Sequence, residues 1–426
     1  MKRLLPFILP TLVLAQSYPE VIARIDASYA VQSARAIEHS AYEAYLAAEG
    51  KHLPSLDARL SALKLNRTPT AVLASSKMQT ASRNNVEGEV TLTYPLFSGF
   101  ALSASAEKAR LHHEKALLET SDLKRNLYLD ATRLYAAAAG YEAVIAAQKE
   151  AKIAIDASYA KARGMYANGL LAPAELYAIE AKGYEIEAQI AESQSARLQA
   201  LNTLSYLTGE RVEKVELPSV REWTSEPTKV EAAAQANRED LLALAKALGI
   251  ARSDIAMAES RWYPQIALVA SLKRHGDTFD LNGDGYTNAD KSYGGVVASW
   301  NLFSGMSDYH ALQASKASEL AAYAAIEDYK SRIISEIRNT ALKIEATHTK
   351  LLSARMRIKA AEEYAKLTRG RFDNQLSSAD ELSRAIADLA SAKAAAATLE
   401  SELFTLDVSL LLQGGLEMFR VKTAIH

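Results

Sequence analysis

The sequence predicts an α+β membrane chain of two tandem structural repeats, each pairing a β-hairpin for a lipid-facing barrel wall with a long helical hairpin. Three observations predict it. The chain matches itself at a shift of 206 residues, four segments alternate apolar with polar side chains, and most of the remainder is long, alanine-rich and free of proline.

The elements follow in chain order. "MKRLLPFILPTLVLAQ" joins basic Lys2 and Arg3 to an apolar run from Leu4 to Leu14, with small residues at Val13 and Ala15, so residues 1–15 read as an export signal cleaved before Gln16. The other reading is an apolar leader on a cytoplasmic chain; Pro6 and Pro10 argue against a spanning helix. No cysteine follows to carry a lipid anchor. No later stretch holds about twenty uncharged apolar residues, so a membrane contact would be made by β-structure.

Repeat 1, residues 16–209, opens with a helix over roughly 20–50 and a β-hairpin at about 54–97. In one strand Leu56, Ala58, Leu60 and Ala62 alternate with Ser55, Asp57, Arg59 and Ser61. In the other Val86, Gly88, Val90, Leu92, Tyr94 and Leu96 alternate with Glu87, Glu89, Thr91 and Thr93. Pro95 suits a strand end, Ser98 a helix N-cap and Gly99 the turn between them, so strand passes directly into helix. A long helix over about 100–167 and a return helix over about 173–208 complete the repeat; at 1.5 Å per residue the long member reaches about 100 Å. Residues 210–228, broken by Pro218 and Pro227, read as a linker or small equatorial cap with one short strand.

Repeat 2, residues 229–415, runs through a helix over about 229–260, a hairpin at about 262–303, a long helix over 306–372 and a return helix over 379–413; a tail, 416–426, follows. Its strands carry Ile266, Leu268, Ala270 and Leu272, then Val296, Ala298, Trp300 and Leu302. Phe97, Ser98 and Gly99 fall on Phe303, Ser304 and Gly305 at the common shift, and Arg163, Gly164, Asn168, Leu170, Glu175 and Leu176 fall on Arg369, Gly370, Asn374, Leu376, Glu381 and Leu382. Shared composition would match scattered alanines; punctuation residues at one shift mark a duplication.

Strands of about ten residues with one apolar face and aromatic ends suit an outer-membrane barrel, and they also suit a soluble sandwich with one wet face. Four strands cannot close a barrel, for which about eight is the smallest usual number, so the membrane reading requires several chains. Composition bounds the rest. A net charge of -2 leaves no global footprint for nucleic acid, and the lack of cysteine excludes disulfides, thiolate metal sites and cysteine nucleophiles. The eight histidines have no metal-ligand spacing, adjacent His112 and His113 read as solvated, and no phosphate-cradling loop or nucleophile motif occurs, so the chain reads as no enzyme.

The export signal, the tandem plan, the "YPLFSGF" and "WNLFSGM" junctions and the helical returns "ARGMYANGLLAPAELYAIEAK" and "TRGRFDNQLSSADELSRAIAD" together resemble the TolC family of outer-membrane efflux proteins, over nearly the whole mature chain. The resemblance implies a homotrimer whose chains give four strands each to a 12-stranded β-barrel in the outer-membrane lipid of a Gram-negative cell. A long α-helical barrel would continue it across the periplasm toward an adaptor protein and an inner-membrane transporter, which would supply the energy and most of the specificity for drugs, metal ions or secreted proteins. The rivals are a periplasmic coiled-coil scaffold and a constitutively open porin, the latter needing no long helices.

The resemblance also implies a periplasmic gate just after the two helical turns, with Glu175 as the first-turn carboxylate and Glu381, beside Asp380, as the second. Threefold copies of such carboxylates would attract cations; the plainer alternative is an acid placed favourably at a helix N-terminus. The chain departs from the family pattern in three places. Phe372 lacks a tyrosine hydroxyl, Ser377 stands at a basic position and Arg384 at an acidic one, so closure would use other bonds. In the second hairpin, Asp280, Asn282 and Asp284 alternate before Gly285 as in half a calcium loop, with Tyr286, Asn288 and Asp290 as further oxygen donors, but Lys291 stands where the last acid belongs. A Ca2+ site and a metal-free Asx-rich turn both fit.

Overall fold

The computed structural model describes residues 15–218, 226–281 and 290–423, so the expected signal segment, apart from Ala15, lies outside the described residues. Two compact units emerge, each drawing on both repeats: one from residues up to Arg35, Leu118–Leu242 and from Asp328 on, the other from Ala36–Leu117 and Ala243–Glu327.

The elements of repeat 1 are α1 (Tyr18–Ile25), α2 (Tyr29–Gly50), β1 (Ser55–Lys64), β2 (Thr70–Leu73), β3 (Ser76–Gln79), β4 (Asn84–Phe97), α3 (Ala101–Ala167) and α4 (Pro173–Thr208). After them come α5 (Pro227–Asn237), α6 (Glu239–Glu259), β5 (Gln265–Gly276), β6 (Asp290–Ser299), α7 (Ser307–Asp373), α8 (Ala379–Gln413) and α9 (Leu416–Thr423). The tandem plan is visible in these bounds: α3 and α7 each hold 67 residues and begin and end at the same shift of 206, and α4 and α8 begin at that shift too. Alanine, leucine, glutamate, lysine and arginine keep such helices intact because each loses little side-chain freedom there.

Two expected helices are divided. The stretch over 20–50 breaks at Asp26–Ser28, where the Ser28 hydroxyl accepts from the Val31 N–H at 3.4 Å and so caps α2. The stretch over 229–260 breaks at Arg238, whose extended backbone (φ -69, ψ 123) turns its side chain toward Asp240 at 3.0 Å. Both breaks obey partners that periodicity does not register.

In the second unit one antiparallel sheet runs in the order β1-β4-β5-β6. Its register sets Leu56, Leu92, Ala270 and Gly294 in one row of the apolar face and Ala58, Val90, Leu272 and Ser292 in the next. The opposite face carries Arg59, Glu89, Lys273 and Lys291 in a row, with Lys273 bonded to Glu87 at 2.6 Å and Ser271 to Glu89 at 2.9 Å. Trp300 and Leu302 do not continue β6 as expected. Pro264 precedes β5 and lacks an N–H, so the ladder stops at the Gln265–Ser299 pair. By contrast β4 reaches Phe97 through a bulge, and Pro95 sits beyond the point where β1 ends opposite Thr93. A second small hairpin, β2 with β3, was not expected: its turn holds Ala74 and Ser75 at φ 49 and 74, without the glycine or asparagine that signals such turns. In the same unit His113 is half-buried against the Tyr42 ring, centroids 5.1 Å apart, rather than solvated.

Two cores of the first unit bear on the turns and on the packing of α1. In one, Tyr18 and Ile22 of α1 pack with Tyr135 of α3, Leu204 of α4, Phe404 of α8 and Phe419 of α9. Tyr18 stands edge-on to Tyr135 and Phe404, and Tyr135 donates to the carbonyls of Gln16 and Glu216 at 3.0 and 2.7 Å, holding the Gln16–Val215 bridge. Burying each such aromatic stabilises by about 1.5–3 kcal/mol. The other core, with Ile155, Ile179, Phe372 and Leu382, underlies the helical turns.

Candidate functional site

Both α3 and α7 end on the same backbone device. Gly169 and Gln375 lie left-handed at φ +71 and +59, while the Leu170 and Leu376 N–H groups return to the carbonyls of Met165 and Arg371 at 2.9 and 2.8 Å. Asn168 and Asn374 each donate from the side chain to Gly164 and Gly370 at 2.8 Å. These bonds satisfy carbonyls that a helix end leaves open, and they aim the next helix back along the first.

The gate candidates gather beside these turns. Half-buried Glu175, in the first turn of α4, accepts from the Ala379 N–H of α8 at 3.1 Å, so it caps the neighbouring helix as well as facing its own dipole. The Ser378 hydroxyl accepts from the Glu381 N–H at 3.1 Å. Glu381 in turn accepts from Ser377 at 2.6 Å and faces Arg371 at 3.7 Å and Tyr364 at 3.5 Å. Arg384 pairs with Asp380 at 2.8 Å, and Lys161 of α3 joins Asp373 of α7 at 2.6 Å. Phe372, 2% exposed, fills the core between the turns, where a hydroxyl would need a buried partner. Every gate candidate thus has a bond or contact within one chain.

At the strand-to-helix junctions, Pro95 lies in the part of β4 that pairs with β5 alone, and neither serine is adjacent to its helix. Ser98 and Ser304 stand three positions before the first residues of α3 and α7, accepting from the Leu102 and Asp308 N–H groups at 3.2 and 3.3 Å. Between serine and helix lie two left-handed residues, Gly99–Phe100 in one copy and Gly305–Met306 in the other. Sequence reasoning placed the glycines there but not the left-handed Phe100 and Met306.

The calcium candidates are mostly beyond view. Asn282, Asp284, Tyr286 and Asn288 lie outside the described residues; Asp280 is exposed, and the backbone of Asp290 pairs with Arg274 at the start of β6. Among the described residues no three acidic or histidine side chains gather as metal ligands, and no helix is long and apolar enough to cross a membrane.

One polar cluster escaped the sequence reading. Asp240 accepts from Tyr329 at 2.6 Å, from Arg125 at 3.0 Å and from Arg238 at 3.0 Å, and Glu239 accepts from the Leu416 N–H at 2.8 Å, tying α3, α6, α7 and α9 in the first unit. Burial raises both carboxyls. At Asp240 the Tyr329 hydroxyl and the two guanidinium groups outweigh it and hold the carboxyl below its usual range, whereas at Glu239 burial wins; burial and the bond to Asp240 push the Tyr329 phenol up to about 12. The signal was the run Arg238–Glu239–Asp240 interrupting an apolar periodicity.

The family model for outer membrane efflux proteins matches residues 25–210 and 232–411. No curated protein matches the sequence. Solved structures do. The outer membrane protein VceC from Vibrio cholerae is 18% identical over 93% of this chain and 96% of its own, with a TM-score of 0.78. The outer membrane channel CmeC from Campylobacter jejuni is 13% identical over 93% and 84%, with 0.80, and the open-state channel MtrE from Neisseria gonorrhoeae 18% over 94% and 89%, with 0.73. At these identities the likeness is one of fold.

Proposed function

The chain belongs to the outer membrane efflux protein family, and from that membership we propose that it is the exit duct of an efflux or secretion machine. Three copies join their sheets into one twelve-stranded outer-membrane barrel, continued by a helical tunnel in the periplasm. Cargo passes without chemistry on this chain; an inner-membrane transporter, joined through a periplasmic adaptor, supplies the energy. The gate carboxylates Glu175 and Glu381 stand at the narrow periplasmic end.

One observation carries the reading: the sheet leaves its apolar face open, with Leu56, Leu60 and Leu272 at 71%, 66% and 65% exposure, while both outer strands lack a second partner among the described residues. In water that face is an association hazard; in lipid it costs nothing, provided other strands satisfy the edges. The charged row of Arg59, Glu89, Lys273 and Lys291 on the other face suits a wet lumen. The test is fractionation of cells making the full chain, then unheated gel electrophoresis of the detergent extract. The expected result is an outer-membrane protein migrating as a trimer until heated. A monomer recovered from the periplasm without detergent would overturn the proposal.

A further inference from the structure

The two strand-to-helix junctions share one backbone and differ in what fills them. Gly99 and Phe100 lie at φ +62 and +69, Gly305 and Met306 at +66 and +68. A Cβ on Gly99 would stand 2.6 Å from the Ser260 carbonyl oxygen and 2.8 Å from Tyr263 Cβ, whereas one on Gly305 would meet nothing within 4 Å. Phe97 and Phe100 stand edge-on around the Tyr263 ring, with centroids 6.4 and 5.8 Å away. Phe97 is half-buried and Gly99 buried, whereas their counterparts Phe303, at 77%, and Gly305 are exposed; Phe100 and Met306 are exposed alike. The first junction is therefore filled by the segment leading into β5, the strand beside β4, whereas among the described residues nothing packs on Gly305 at the second.

Among the described residues there is a second segment of the occupying shape. The Leu53 N–H donates to the Gly50 carbonyl at 3.0 Å, as the Tyr263 N–H donates to that of Ser260 at 3.1 Å; a proline follows each, then a strand. Leu53, standing where Tyr263 stands, is 66% exposed, and a Cβ on Gly50 would meet nothing within 4 Å. This segment leads into β1 at one edge of the sheet, and the second junction leaves β6 at the other edge. Three strand spacings of about 4.8 Å separate those edges, so one chain cannot join them.

We propose that Phe303, Gly305 and Met306 of one copy receive the Gly50–Leu53 segment of a second copy, which sets β1 of that copy beside β6 of the first. The contact is heterologous: each copy gives a plug from one edge and a socket from the other, so successive copies close a ring. The inference rests on the oligomeric barrel proposed above and names the side chains at its seam.

Because the chain has no cysteine, the seam can be tested by placing two. In the full-length protein in outer membranes, Leu53→Cys with Met306→Cys is expected to give covalent dimers and trimers on mild oxidation, which reductant dissolves, while either change alone gives none. Phe100→Cys with Tyr263→Cys, the equivalent pair inside one chain, should bridge without a change in size. If that control bridges and a lysine-reactive cross-linker still traps trimers, but the Leu53 and Met306 pair stays unlinked between chains, the seam is wrong and the trimer stands. If no oligomer is trapped by any route, the barrel reading fails with it. A second arm compares Gly305→Ala with Gly169→Ala, both left-handed and both without a neighbour in the single chain. Gly305→Ala should lose the unheated trimer band and Gly169→Ala keep it; equal behaviour overturns the seam.

Discussion

Asp407 on α8 offers a test of how burial sets stability. It is half-buried, and the side chains one turn away on either side, Leu403, Phe404, Leu410 and Leu411, are buried. Burial pushes its carboxyl up to about 6 from 3.8, and His348 of α7 only partly offsets the rise. A shift of about two units corresponds to about 3 kcal/mol per chain as an upper value, at 1.36 kcal/mol per unit. A carboxyl raised in the folded state contributes stability that is full below its unfolded pKa, near 4, and is lost as the pH climbs through about 6. Asp407→Asn keeps the shape and removes the ionisation. Scanning fluorimetry in detergent should therefore show the variant melting higher than the parent at about pH 8, by on the order of 5 °C, and level with it at about pH 4. An equal gain at both pH values, or no gain at the alkaline one, would refute this account of Asp407.

Arg125→Met leaves the acids Glu239 and Asp240 short of a buried guanidinium, which should cost about 3–5 kcal/mol and speed digestion by trypsin at fixed temperature; unchanged digestion would mean that Arg238 and Tyr329 suffice. Gly140 of α3 lies so close to Ser401 of α8 that a Cβ would collide with its hydroxyl. Gly140→Val should therefore lower the melting temperature by the equivalent of about 1–3 kcal/mol, partly restored by adding Ser401→Gly, and absence of restoration would place the strain elsewhere. Glu175→Gln with Glu381→Gln weakens the bonds at the helical turns, and a loss of about 1.4 kcal/mol should make channel openings in planar bilayers about tenfold more frequent; unchanged gating would exclude these carboxylates from closure.

Much of the candidate site was legible because its signals are local. Glu175 and Glu381 stand at matched places after matched turns, and the left-handed position that Gly169 and Gln375 share answers a backbone demand that glycine advertises and glutamine conceals. What each carboxylate binds was not legible. Nothing near Glu175 in sequence points to Ala379, 204 residues away, and the pairing of Arg384 with Asp380 turns a departure from the family pattern into an intrahelical ion pair. The Asp240 cluster was missed for the same reason: Tyr329 and Arg125 reach it from other helices.

By itself the sequence determined the duplication, the apolar face of each hairpin, the two long helices and the places where the chain turns, since each follows from alternation, helix propensity or punctuation within a few residues. Only the tertiary structure decided that Ser28 and Arg238 divide helices, that β6 stops at Ser299 for want of a partner beyond Pro264, and which charges meet. Hydrogen bonds and ion pairs take their worth from what lies opposite in space. Periodicity records which side of an element faces the core, not which group waits there.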